Sequence, residues 1–185
     1  MKKLFIFALT TMLSMSNIAL GQVDSIPDPD EDDEKEIGNF DFIYGAYDDL
    51  NAGFEREEML MSEAFSHLGT HYRSGAKGPS AFDCSGFTSY VFKKKTDVFI
   101  GASSREQYAR NQPITRKELQ CGDLVFFTSP RSGRNVGHVG IVVDVDPISQ
   151  TFTFIHASTN NGVTLSNSND SGYANRYVGA RRIQP

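Results

Sequence analysis

The chain has no tryptophan, only two cysteines among its 185 residues, and no excess of basic side chains. Two cysteines can form at most one bridge, which excludes the disulfide framework of small secreted scaffolds. The formal net charge of −5 leaves no basic footprint for nucleic acid, so we expect no nucleic-acid partner. An apolar content of 39%, with 14 phenylalanines, is nonetheless enough for one core of ordinary size.

The negative charge is concentrated near the N-terminus. Residues 24–36 contain eight acidic side chains and one lysine, whereas acids and bases balance from residue 37 onward. Like charges at this density repel one another and cannot be buried, so residues 22–38 are expected to form a disordered linker. Together with the more apolar residues 39–50 they make an acidic linker and N-terminal extension. The folded domain is predicted to occupy residues 51–185.

Residues 1–21 have the pattern of a secretory signal peptide. Lys2 and Lys3 precede a mostly apolar stretch that ends in A-L-G, a small-x-small cleavage site before Gln22. The stretch is too short, and too interrupted by Ser and Thr, to remain as a stable membrane anchor. We therefore expect export to the periplasm or the cell exterior; a buried N-terminal helix is the alternative.

Apolar spacing indicates helices in the first half of the domain. Leu60, Ala64 and Leu68 recur at intervals of four and favour a helix over residues 54–68. Ser103 with Glu106 fits a capping box, which predicts a short helix ending near residue 111.

From residue 121 onward the pattern changes to that of strands. The predicted strands cover residues 124–127, 138–145, 151–156 and 177–183, while the Asn- and Ser-rich residues 160–173 are interpreted as a loop. Helices followed by an antiparallel meander make an α+β fold.

Residues 82–87, F-D-C-S-G-F, open a further helix. Phe87, Tyr90 and Val91 follow the i, i+3, i+4 spacing of a buried helical face. Cys84 would then lie at the helix N-terminus, where free N–H groups and the helix dipole favour the thiolate, so we expect this thiol to ionise more easily. Gly86 in the first turn suggests that something needs room near the sulfur. A buried structural cysteine is the commoner alternative.

Two of the four histidines lie at strand ends. His138 begins one predicted strand and His156 ends the next, so a hairpin would bring both imidazoles to the same edge of the sheet. Facing Cys84, they would supply the base and the orienting group of a cysteine acyl-transfer enzyme. Each histidine is otherwise an ordinary strand residue. A zinc site is a further alternative, although no close-spaced ligand pair supports it.

Four segments resemble, in order, the signature blocks of the NlpC family, papain-like cysteine peptidases that cut bacterial cell-wall peptides. They are residues 83–87 (D-C-S-G-F), 122–127 (G-D-L-V-F-F), 137–141 (G-H-V-G-I) and 155–158 (I-H-A-S). The resemblance covers roughly residues 55–183. It implies a papain-like α+β fold with Cys84 as nucleophile, His138 as general base and His156 as the orienting third member.

The resemblance also implies substrate contacts, from Tyr72, Asp83, Ser85, Ser103 and Ser104. Three positions depart from the family pattern. R-S-G-A at residues 73–76 replaces an aromatic-Gly-Gly run, G-A at residues 101–102 replaces Pro-Arg, and residue 121 is cysteine where proline is common.

The function implied by the resemblance is hydrolysis of peptidoglycan stem peptides between γ-D-glutamate and a diamino acid. Neither a metal nor an organic cofactor is expected, and the protein is expected to be a monomer. Two other functions fit the same fold: a peptidoglycan-binding module without turnover, and an acyltransferase or lipid hydrolase that uses the same Cys–His chemistry.

Overall fold

The computed structural model describes residues 37–184. The chain divides into two units after Asp41, and the first is described only from residue 37. The predicted signal peptide and residues 22–36 of the predicted linker lie outside the described residues, so these assignments and the domain boundaries stay predictions. Apart from the first five residues of helix α1, the features below belong to the second unit, which begins at Phe42.

Helix α1 spans Ile37–Ser66 and begins well before residue 54, where the apolar spacing placed its start. Residues 37 and 38, assigned to the disordered linker, are therefore helical, since the run of acids ends at Glu36. The last turns join the core through buried Leu60 and Ala64, as predicted, whereas Leu68 lies beyond the helix end at Ser66 and is exposed. Residues 50–59 are all exposed, so core periodicity could not reveal the earlier start. Within residues 37–184 no helix is long and apolar enough to cross a membrane.

Helices α2 (Cys84–Thr96) and α3 (Ser104–Arg110) begin at side-chain caps. The Asp83 carboxylate accepts a hydrogen bond from the Gly86 N–H at 2.5 Å, and the Ser103 hydroxyl accepts one from the Glu106 N–H at 3.2 Å. A cap satisfies N–H groups that have no partner within the helix, which fixes the residue at which the helix starts. Cys84 is thereby held as the first residue of α2.

Six strands form one antiparallel sheet in the order β1-β6-β2-β3-β4-β5. Their bounds are β1 Gln112–Ile114, β2 Leu124–Thr128, β3 Val136–Val145, β4 Phe152–Ser158, β5 Gly162–Asn167 and β6 Tyr177–Arg182, with a 3-10 turn at Arg116–Glu118 before β2. Strands β2 to β4 pair consecutively as predicted, β5 adds an unpredicted strand beside β4, and β6 returns to pair with β2. The α+β fold is confirmed.

Successive side chains of a strand point to opposite faces of the sheet, and in β2 both sets are buried. Leu124 and Phe126 of β2 join Phe87 of α2 in one apolar cluster. Val125 and Phe127 belong to a second cluster. Helix α2 contacts β3 and β4, the two strands that carry the histidines.

The sequence interpretation was wrong about two short strands. Strand β5 lies in the stretch taken for a loop, yet it pairs with β4 over six residue pairs, from Thr153↔Asn167 to Ser158↔Gly162. Asn161-Gly162, a dipeptide typical of hairpin turns, was the available signal. Strand β1 contains Pro113 and forms the edge of the sheet, where a missing N–H costs little.

Candidate active site

Cys84 lines a cleft with a volume of about 940 Å³. The backbone N–H groups of Ser85, of Val139 and of Cys84 itself act to lower the pKa of its thiol. N–H groups at a helix start stabilise negative charge, so those of Cys84 and Ser85 favour a thiolate at this position.

The side chains of Asp83 and Ser85 bond to each other at the start of α2, and their roles as substrate contacts stay predictions. The Ser85 hydroxyl donates to the Asp83 carboxylate at 3.0 Å, and the Lys77 ammonium lies 3.5 Å from the same carboxylate. Neither Asp83 nor Ser85 is among the described residues that line the cleft. A Cβ on Gly86 would collide with the carbonyl oxygen of Ala76. The glycine therefore makes room for this backbone rather than for a group at the sulfur.

His138 and His156 meet at one edge of the β3–β4 hairpin, as the strand order predicted. His138 Nε2 and His156 Nδ1 are 2.9 Å apart, and the ring planes are nearly perpendicular at 87°. His156 is fully buried, whereas His138 lines the same cleft as Cys84. Gly140 lies beneath this pair, because a Cβ there would press on Phe154 and His156.

The far side of the His156 ring is held by two residues that the sequence interpretation did not single out. Its Nε2 atom lies 3.0 Å from the Ser166 hydroxyl and 3.4 Å from the Tyr173 hydroxyl. Ser166 belongs to β5, the strand mistaken for a loop, so its position next to His156 was not visible. The rings of Tyr173 and His138 are near-parallel, with centroids 6.1 Å apart.

The hydrogen bonds of His138 and His156 fix the tautomers of both rings if His138 is to accept a proton from the thiol. His138 Nε2 must then donate to His156 Nδ1, which leaves His138 Nδ1 as the free acceptor. His156 must carry its proton on Nε2 and donate it to Ser166. A line of hydrogen bonds thus runs from the base to the hydroxyl on β5.

Burial keeps the reacting groups neutral at rest. It raises the pKa of the Cys84 thiol, with a further contribution from Asp83, and these effects exceed the opposing effect of the three N–H groups. The expectation of an easily ionised thiol was therefore wrong for the resting protein. Burial, then His156 and Arg176, lower the pKa of His138 to about 3. Burial and Arg176 lower the pKa of His156 to about 4.

Three of the expected substrate contacts line the cleft: Tyr72, Ser103 and Ser104. The Ser103 hydroxyl already caps α3, so of the serine pair only Ser104 keeps its hydroxyl outside a helix cap. Tyr72 is tied to the segment before α2 by a short bridge to Phe82. The roles of these residues as contacts stay predictions.

The second cysteine lies in different surroundings. Cys121 lines a separate groove of about 510 Å³ beside α1 and the end of β6. Burial and a hydrogen bond to the Glu57 carboxylate raise the pKa of its thiol to about 12. Cys84 and Cys121 are both free thiols. Among the described residues no group of three or more His, Cys, Asp or Glu side chains is placed to hold a metal ion.

Comparisons with known proteins identify relatives of this site. The sequence profile described as the NlpC/P60 family matches residues 69–182, a range that contains Cys84, His138 and His156. The chain is 39% identical over 124 residues to the probable endopeptidase p60 of Listeria grayi, covering 67% of this chain and 22% of that protein. It therefore spans about a fifth of the length of that relative.

In two further comparisons the match extends over most of the length of the relative. The chain is 31% identical over 137 residues to the murein DD-endopeptidase MepS/murein LD-carboxypeptidase of Escherichia coli strain K12, covering 74% of this chain and 68% of that protein. The crystal structure of the NlpC/p60 domain of the peptidoglycan hydrolase SagA matches with a TM-score of 0.57 and 29% identity, over 69% of this chain and 98% of that domain.

Proposed function

The chain belongs to the NlpC/P60 family, and we propose that it is a cysteine endopeptidase that hydrolyses peptidoglycan stem peptides between γ-D-glutamate and a diamino acid. The observation that carries the proposal is a thiol at a capped helix start that shares a cleft with His138, whose other ring nitrogen is held 2.9 Å from His156. Relatives named as an endopeptidase and as a murein endopeptidase support the substrate class.

The first half of the reaction forms an acyl-enzyme. As Cys84 Sγ bonds to the substrate carbonyl carbon, the thiol proton moves to His138 Nδ1, and the carbonyl oxygen becomes an oxyanion. Backbone N–H groups at the start of α2 stabilise that charge. The oxyanion then collapses, the peptide C–N bond breaks, and the leaving amine takes the proton from His138.

The second half regenerates the enzyme. A water molecule gives one proton to His138 and attacks the thioester carbonyl. The C–S bond then breaks, and the proton returns to the sulfur as the new carboxylic acid leaves. His156 takes no proton in either half; its hydrogen bond keeps the His138 ring in the tautomer that both halves need.

Digestion of purified peptidoglycan fragments tests the proposal. The wild-type protein is incubated with stem peptides and with cross-linked dimers, and the products are identified by mass. Fragments that end in γ-D-glutamate support the proposed bond. Cleavage only at the cross-link, as the name of the MepS relative would suggest, contradicts the bond while keeping the peptidase.

Two other outcomes would replace the peptidase. Retention on peptidoglycan without any product would identify a binding module. Transfer or hydrolysis of a lipid ester, with stem peptides left intact, would identify an acyltransferase or lipid hydrolase. In each assay Cys84→Ser is the control that separates thiol-dependent turnover from binding.

Export is part of the proposal, because the substrate lies outside the cytoplasm. Residues 1–21 are the proposed signal peptide, followed by the acidic linker. Cell fractionation with N-terminal sequencing of the mature protein tests this; a mature chain that still begins at Met1 would contradict it.

A further inference from the structure

The charged side chains that line the Cys84 cleft are all positive. Its described lining includes three arginines, Arg105, Arg131 and Arg176, and no aspartate, glutamate or lysine. Most of the other lining residues are small or hydroxyl-bearing. Acids and bases balance over residues 37–185, so the arginines of this cleft are a local concentration of positive charge in a domain without net charge.

These three guanidinium groups form no ion pair with a carboxylate of the described residues. By contrast, Arg110 lies 3.5 Å from Glu106 and Arg182 lies 2.8 Å from Asp123. Arg105 Nε donates to the carbonyl oxygen of Val136 at 3.2 Å, which orients its side chain while keeping its charge uncompensated.

Arg176 is the most firmly placed of the three. Its Nε donates to the carbonyl oxygen of Gly172, and its guanidinium carbon lies 4.8 Å from the centre of the Tyr173 ring. Arg176 acts on the pKa of both catalytic histidines, so it lies at the histidine end of the cleft. Arg131 lines the same cleft as Tyr72, and its charge acts to lower the pKa of that phenol.

The nearest carboxylates have other partners and lie outside the described lining of the cleft. Asp83 caps α2 and pairs with Lys77 at 3.5 Å. The Asp170 carboxylate accepts the Asn167 N–H at 2.8 Å. The charged side chains of the described lining are therefore all arginines.

We propose that Arg131 and Arg176 make this enzyme selective for stem peptides whose carboxylates are free, and that it discriminates against the same peptides when those carboxylates are amidated. The proposal deepens the proposed function and rests on it. A guanidinium binds a carboxylate through charge-assisted, often bidentate hydrogen bonds, which a neutral carboxamide cannot match. The difference between charged and neutral hydrogen bonds corresponds to a preference of about tenfold.

The test uses two stem peptides that differ only in the α-substituent of the D-glutamate, carboxylate or carboxamide. Both are titrated into Cys84→Ser protein, so binding is measured whether or not turnover occurs, and both are digested with the wild type. We expect the carboxylate peptide to bind about tenfold more tightly and to give a kcat/KM about tenfold higher. Arg131→Gln and Arg176→Gln should reduce this ratio, and the double variant should bring it close to one.

Arg110→Gln is the matched control, since Arg110 is exposed and paired with Glu106 outside the cleft lining. It should leave the ratio unchanged. Arg176→Gln also alters the surroundings of the histidines, but a ratio between two peptides cancels that effect. Equal binding of the two peptides, or no binding of either, overturns the inference. Cleavage of both peptides at equal rates overturns it while leaving the proposed peptidase intact.

Discussion

The two cysteines occupy two grooves of the same domain and have different neighbours. The backbone N–H groups of Ser85, Val139 and Cys84 act to lower the pKa of the Cys84 thiol, which shares its cleft with His138. The Gly122 N–H group acts in the same sense on Cys121, whereas the Glu57 carboxylate raises the pKa of that thiol. Burial raises the pKa of both thiols, so burial does not distinguish them. The neighbouring proton acceptor distinguishes the two thiols. The His138 imidazole can take the thiol proton and return it during turnover, whereas the Glu57 carboxylate stabilises the protonated thiol of Cys121.

The largest expected effect comes from exchanging sulfur for oxygen in each groove. Cys84→Ser should abolish cleavage with an unchanged melting temperature, because a serine hydroxyl is a far weaker nucleophile in this setting. Cys121→Ser should retain most activity, since Cys121 lies outside the described lining of the cleft that contains Cys84. Digestion of one stem peptide by both variants checks this. Loss of activity in both would mean that the second groove also contributes to turnover.

The next effect separates the two histidines of the first groove. His138→Asn should lower kcat by about 10²–10⁴-fold, because it removes the general base. His156→Asn should keep measurable activity, since an amide oxygen can accept the ring N–H of His138. His156→Leu loses that bond and should cost roughly 10–100-fold. Steady-state rates of the three variants decide the matter; if His138→Asn were the most active, the two roles would have to be exchanged.

Acid stability is a third difference between the grooves. The pKa values of about 3 for His138 and about 4 for His156 lie below the ordinary value near 6.5. At a pH between about 4 and about 6.5, these two histidines bind protons in the unfolded chain but stay neutral in the folded one. The stabilisation is therefore complete above about pH 6.5 and is lost as the pH falls toward about 4.

Denaturant unfolding of two histidine variants checks that slope. Between about pH 7.5 and about pH 5, His156→Asn should lose less unfolding free energy than the wild type, by about 1–2 kcal/mol. The exposed His71 supplies the control, and His71→Asn should follow the wild type. A slope in His156→Asn as steep as that of the wild type would show that His156 is not held neutral by the fold.

The parts of this site that the sequence predicted are those set by local rules. The helix start at Cys84, the apolar face of Phe87 and the hairpin that joins His138 to His156 each depend on neighbours in the chain or on one turn. The pKa of Cys84 and the position of Ser166 depend on packing between distant segments, which periodicity does not encode. Ser166 was missed because its strand contains polar residues and exposes Leu165, so no alternation marked it.

The smallest effect tests the contact farthest from the thiol. Ser166 accepts the His156 Nε2–H at 3.0 Å, and the Tyr173 hydroxyl lies farther away at 3.4 Å. Ser166→Ala should lower kcat by roughly 2–10-fold, which corresponds to one hydrogen bond of about 0.5–1.5 kcal/mol. KM should change little, because Ser166 does not belong to the described lining of the cleft. Ser166→Thr, which keeps a hydroxyl, should recover most of the loss.

Ser168 provides the matched control on the same segment. Its buried hydroxyl accepts the Phe152 N–H at 3.0 Å and a bond from Arg116 at 3.3 Å, but it makes no hydrogen bond to His156. Ser168→Ala should therefore lower the melting temperature and leave kcat unchanged, whereas Ser166→Ala should lower kcat. Equal kcat values for wild type and Ser166→Ala would mean that Tyr173 alone fixes the tautomer of His156. The line of hydrogen bonds that orients the base would then end at that tyrosine rather than on β5.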